Sequence, residues 1–100
     1  MAAATLPEGW KTVRLVIRGR VQGVSYRYWT VNEAIGLGLD GWVRNRRDGS
    51  VEALVCGPDA VVTTMIEACR RGPRAARVQS VDVVPMEGRA ERGFRQLPTV

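Results

Sequence analysis

An α+β sandwich, with two helices on one face of an antiparallel sheet, is the fold class this sequence predicts. Three observations predict it. Some segments alternate apolar and polar residues with the period of a strand, two others carry apolar residues at helical spacing, and glycine-containing breaks separate them in the order β-α-β-β-α-β plus a short terminal strand.

Lys11 to Arg18 alternates, with Val13, Leu15 and Ile17 on one face and Arg14, Val16 and Arg18 on the other, as a half-buried strand does. Gly19 to Ser25 breaks the period and reads as a loop. Tyr26 to about Leu37 is expected to be a helix. Tyr26, Thr30, Ala34 and Leu37 share one face, flanked by Val31 and Ile35, and Gly38 suits the left-handed position that stops it. Gly41 to Arg46 is a second strand, with Gly41, Val43 and Asn45 facing one way and Trp42, Arg44 and Arg46 the other. Arg47-Asp48-Gly49 supplies a hairpin turn, because Asp-Gly tolerates positive φ. Ser50 to Cys56 returns as a third strand, Val51, Ala53 and Val55 alternating with Glu52 and Leu54. Pro58 is expected at the first position of a second helix, whose apolar stripe is Val61, Val62, Met65, Ile66 and Cys69. Arg70 and Arg71 suit the negative end of its dipole, and Gly72-Pro73 ends it. Val78 to Pro85 is a fourth strand, and a charged turn from Glu87 to Gly93 leads to a short strand around Phe94 to Leu97. This order is the split βαβ, or ferredoxin-like, pattern, expected as one domain over residues 11–98 behind a flexible tail over residues 1–10.

With 100 residues, the chain is sized for a single core. Fifteen basic residues against 10 acidic give a net charge of +5, and Lys11 is the only lysine. That balance suits polyanions or small phosphorylated ligands, and arginine-rich codon usage in a GC-rich genome produces it equally well. Histidine is absent. Ser-His-Asp triads, Cys-His pairs and His-ligated metals are thereby excluded, along with the side chain best suited to shuttling protons near neutral pH. Cys56 and Cys69 form no CxxC pair and read as partly buried free thiols of a reducing cytosol. No apolar run approaches the length of a membrane span.

The segment richest in chemistry is Gly19-Arg20-Val21-Gln22-Gly23-Val24-Ser25-Tyr26-Arg27, which joins the first strand to the first helix. A helix N-terminus presents unpaired N–H groups and a positive dipole end, a natural cradle for phosphate. Gly23 lets the backbone approach closely, and Arg27, in the first helical turn, can fold its guanidinium over an anion held there. The segment is not a P-loop, which needs a lysine after its glycines, nor a dinucleotide fingerprint, whose glycine spacing differs. It is not a cysteine-phosphatase loop either, since neither cysteine lies in it. Read alone, such a loop is also an ordinary turn. Asn45 places a polar amide on a mostly apolar strand face, where it needs a hydrogen-bond partner, and it equally suits the turn that follows.

The run from Gly19 to Arg27, followed by Gly41-Trp42-Val43-Arg44-Asn45 and by Asp48-Gly49-Ser50-Val51-Glu52, resembles the acylphosphatase family. Gly57-Pro58, the stretch from Gly72-Pro73 to Val78, and Phe94 resemble the rest of that pattern, so the likeness covers about Val13 to Phe94. Departures are small: Tyr26, where Phe is also usual, and Ser25, at a position tolerant of small residues. The resemblance implies a ferredoxin-like fold and hydrolysis of the carboxyl–phosphate mixed anhydride to a carboxylate and inorganic phosphate. It implies that Arg27 binds the phosphate, that Asn45 orients the attacking water, and that the backbone amides of Gln22, Gly23, Val24, Ser25 and Tyr26 form the phosphate loop. The sequence contains no metal-ligand cluster, so no metal and no cofactor are expected, and the resemblance implies hydrolysis without a covalent intermediate.

Two alternatives belong to other classes: a non-catalytic phosphate-binding or regulatory domain, and an RNA-binding module on the same fold. RNA-binding sheets stack bases on aromatic residues of their central strands, and the first and third strands here carry none. The expected partners are a small acyl phosphate and its phosphate product, with no nucleic acid and no membrane, for a cytoplasmic monomer.

Overall fold

The computed structural model describes residues 5–100. Its elements are β1 (Trp10–Arg20), α1 (Tyr26–Gly36), β2 (Asp40–Asn45), β3 (Val51–Pro58), α2 (Asp59–Arg71), β4 (Arg77–Met86) and β5 (Phe94–Gln96). The five strands form one sheet in the order β4-β1-β3-β2-β5. The ferredoxin-like sandwich predicted from the sequence is the fold observed, with both helices on one face.

Strand alternation decides which face is buried. Val13, Leu15 and Ile17 of β1, Val43 of β2, and Val51, Ala53 and Val55 of β3 point into the core beneath the helices. There they meet Tyr26 and Ala34 from α1 and Val62, Met65 and Cys69 from α2. Each large apolar side chain fully buried in this way contributes roughly 1.5–3 kcal/mol. Leu39 and Phe94 close the two ends of this core.

Several boundaries differ from the sequence-based expectation. β1 runs past Arg18 to Arg20, so the expected loop shortens to residues 21–25. The cause is a bulge: the register between β1 and β4 shifts between Arg18 and Gly19, and pairing resumes at Gly19 with Val78. Gly19 has φ +129°, and a Cβ there would strike the Arg77 carbonyl, so only glycine fits. β3 likewise continues to Pro58, because its antiparallel ladder with β1 extends to Trp10 opposite Pro58. Pro58 is therefore the residue before α2 and not its first helical residue. Ile35, expected to flank the buried face of α1, is 58% exposed. β4 is an edge strand and largely exposed, while β5 pairs with β2 in parallel, the one parallel pair in the sheet as described.

At the start of the chain, residues 1–4 of the expected tail lie outside the described residues. Trp10 is already the first residue of β1, and the Asp59 amide donates to the Gly9 carbonyl at 2.8 Å. Among the described residues, no helix is long and apolar enough to cross a membrane.

Candidate active site

The turn between β1 and α1 contains two residues of positive φ. Gly23 has φ +74°, and Ser25, just before the helix, is left-handed at φ 63° and ψ 23°. Ser25 is the only non-glycine residue with positive φ among the described residues. A left-handed non-glycine residue costs about 1–2 kcal/mol and persists only where its surroundings hold it. The first α1 bond runs from the Trp29 N–H to the Ser25 carbonyl at 3.0 Å. The amides of Tyr26, Arg27 and Tyr28 ahead of it have no intrahelical acceptor. No acidic side chain lies in that first turn, so the positive end of the helix is not neutralised locally.

A cleft of about 280 Å³ opens over this turn, lined by Val21, Gly23, Ser25, Tyr26, Arg27, Tyr28, Asn45 and Gln96. The hairpin topology brings Asn45 here: it is the last residue of β2, opposite Val51 of β3, on the side of the sheet that carries Val43. The backbone around Asn45 is held by the segment after β5. The Val100 amide donates to the Asn45 carbonyl at 3.1 Å, and the Arg47 amide donates to the Val100 carbonyl at 2.8 Å. The Asn45 side chain is different. Its Oδ1 is buried and is the one buried side-chain polar atom without a hydrogen-bond partner among the described residues. Leaving such an oxygen unpaired costs about 1–3 kcal/mol, a cost that a donor reaching it from the cleft would remove.

Charge is distributed in the same sense. Arg27 forms no ion pair among the described residues, whereas Arg14, Arg44 and Arg46 all converge on Glu52. Glu52 is only 3% exposed. Burial by itself pushes its carboxyl up, but hydrogen bonds from Arg44 and Arg14 and their charges outweigh that and hold it below the usual carboxylate range. Arginines on the other side of the sheet are thus spent internally, and Arg27 is left open to an anion. Among the described residues, no group of three or more Cys, Asp or Glu side chains could hold a metal ion.

Five of the seven residues expected from the sequence line the cleft: Gly23, Ser25, Tyr26, Arg27 and Asn45. Tyr26 contributes backbone only, because its ring is buried and its hydroxyl donates to the Cys69 carbonyl at 2.6 Å. Val24 turns toward the core, and the Gln22 carboxamide reaches across to the β2–β3 turn. Sequence reasoning left out Val21, Tyr28 and Gln96. Gln96 could not be found without knowing that β5 lies parallel to β2, with Gln96 opposite Val43. Tyr28 follows Arg27 in the chain, and its 71% exposure is visible only in the fold.

Known proteins resemble this chain in sequence and in fold. The Acylphosphatase family model matches residues 13–96. An acylphosphatase of Nitrobacter hamburgensis is 58% identical over 93 residues, covering 87% of this chain and 94% of that protein. The crystal structure of acylphosphatase from Bacillus subtilis superposes with a TM-score of 0.82 at 34% identity, over 86% of this chain and 97% of that one. An acylphosphatase structure from Coxiella burnetii gives a TM-score of 0.86 at 29% identity, over 90% and 95%. On the strength of a match that spans both the anion-ready turn and the strand bearing Asn45, this chain belongs to the acylphosphatase family.

Proposed function

We propose that this protein hydrolyses acyl phosphates to a carboxylate and inorganic phosphate, with Arg27 and the turn amides holding the phosphoryl group and Asn45 placing the water. The observation that carries the assignment of roles is the juxtaposition in one cleft of Arg27, which pairs with no carboxylate among the described residues, and Asn45, whose buried Oδ1 is unpaired.

The chemistry suits these groups. The leaving group is a carboxylate whose conjugate acid has a pKa near ~4, so it departs as an anion and needs no general acid. This accounts for an enzyme without histidine. Phosphoryl transfer is chiefly positioning and charge stabilisation. The guanidinium and the amides of residues 22–26 face the oxygens on which negative charge is redistributed. Asn45 Oδ1 accepts a hydrogen bond from the water and aims its lone pair along the line of the P–O bond to be broken. The water oxygen bonds to phosphorus, the P–O bond to the acyl group breaks, and its electron pair leaves with the carboxylate. A carboxamide cannot take the water's proton, so that proton passes to a phosphoryl oxygen of the substrate.

No step in this route calls for a metal, and the reading extends to a cytoplasmic monomer, which two free, buried cysteines favour over an oxidising compartment. The decay of benzoyl phosphate absorbance in the presence of EDTA tests it. Turnover is expected to survive chelation. Asn45→Ala is expected to lose most turnover while retaining competitive inhibition by inorganic phosphate. Absence of hydrolysis by the unaltered protein would remove the reading, and loss of activity with EDTA would remove its metal-free form.

A further inference from the structure

We infer that Gln22 is a positioning residue: its side chain ties the phosphate-holding turn to the hairpin that carries Asn45, and so sets the alignment of water and phosphorus. The inference rests on the roles proposed above for Arg27 and Asn45. Its basis is one junction. Gln22 Nε2 donates to the Arg46 carbonyl at 2.7 Å and to the Ser50 carbonyl at 2.9 Å. Both protons of the carboxamide nitrogen are thereby used.

The two acceptors are the closing pair of the β2–β3 turn. The Arg46 amide donates to the Ser50 carbonyl at 2.9 Å, and the Gly49 amide donates to the Arg46 carbonyl at 3.1 Å. Each carbonyl already has its turn partner, so the hairpin does not need Gln22 in order to close. Gln22 fills the second lone pair of each oxygen, from a different part of the chain. The acceptors are also held from behind. Asp48 Oδ1 accepts from the Ser50 amide at 2.9 Å and from the Ser50 hydroxyl at 2.6 Å, and the Arg46 guanidinium reaches Glu52 at 3.3 Å.

Arg46 follows Asn45 directly, and Gln22 sits one residue before Gly23. The tether therefore joins the two halves of the site next to Asn45 on one side and next to Gly23 on the other. The Arg27 half and the Asn45 half belong to different elements, α1 and β2, which also pack against each other. In-line attack depends on their separation, and a misplacement of about 1 Å can cost on the order of 10²-fold in rate. Binding of phosphate by the turn depends on the Arg27 half alone. Gln22 should then act on turnover and not on phosphate affinity.

Benzoyl phosphate kinetics and inorganic phosphate inhibition of Gln22→Ala and Gln22→Glu test this. Both variants keep the backbone amide of residue 22, and the second also keeps side-chain size while removing the donors. Expected is a fall in kcat of tenfold or more in each, with the phosphate inhibition constant of Gln22→Ala, which adds no charge, within about threefold of the unaltered protein. Combined with Asn45→Ala, either substitution should lower kcat little further, because the water it helps to align has already lost its partner. Melting temperature by circular dichroism establishes that each variant is folded. A folded variant with unchanged kcat, a loss confined to phosphate affinity, or a loss that multiplies with that of Asn45→Ala would overturn the positioning role. Failure of Asn45→Ala itself to lower turnover would overturn the underlying assignment instead, so the two failures are told apart.

Discussion

The Tyr26 hydroxyl donates a 2.6 Å hydrogen bond to the Cys69 carbonyl inside the core, and Cys69 is the one residue of α2 whose helical partner would be Pro73. Proline has no N–H, so the carbonyl four residues earlier loses its normal donor. Tyr26, at the first turn of α1, supplies the replacement. The last turn of one helix and a tyrosine that begins the other thus share a single buried hydrogen bond. Burial first, then the Cys69 side chain, push the tyrosine hydroxyl up, so it stays protonated and donating.

Tyr26→Phe keeps the ring and removes the donor, leaving the Cys69 carbonyl buried and unpaired. A loss of about 1–3 kcal/mol in urea unfolding free energy is expected. Turnover should be retained, because residue 26 reaches the cleft with its backbone only.

Glu52→Gln should destabilise the protein at neutral pH by about 2 kcal/mol, an intermediate figure because the three arginines around the carboxylate are partly exposed. Since the folded protein holds this carboxyl below its ordinary 4.5, its contribution is fully present above that pH and is lost as pH falls through the folded value. Unfolding curves of the two proteins are expected to differ at pH 7 and to converge in acid below pH 4.5. A gap that widens on acidification would contradict the assignment.

Much of this was legible before the fold was known. Alternation gave β1, β2 and β3 their faces, and Asp48-Gly49 marked the turn, because period and turn chemistry are local properties. The bulge beside Gly19 was not legible, since it depends on the close approach of the Arg77 carbonyl, far away in sequence. Within the site, Arg27 and Asn45 stood out as polar residues in telling places. Gln22 entered only as a backbone amide, because its acceptors, the carbonyls of Arg46 and Ser50, carry no signature in the side chains. Glu52 read as one charge on a strand's outer face, and only the sheet register reveals three arginines closing over it.

The cysteines should behave as packing residues. Both are fully buried and free, and burial pushes the Cys69 thiol up to about 12. A thiol needs its thiolate to react. Neither is expected to react with a disulfide reagent such as 5,5′-dithiobis(2-nitrobenzoate) at pH 8 in the folded protein, and both should react in denaturant. Rapid titration of the folded protein would point instead to local opening of β3 for Cys56 or of α2 for Cys69.

The most direct measurement of the central claim is benzoyl phosphate hydrolysis by Arg27→Ala beside the unaltered protein. Removing the one cleft arginine free of a carboxylate should lower kcat/KM by about 10²-fold or more and weaken inhibition by inorganic phosphate, in a protein whose melting temperature is unchanged. A folded Arg27→Ala protein that hydrolyses benzoyl phosphate at the unaltered rate would contradict it.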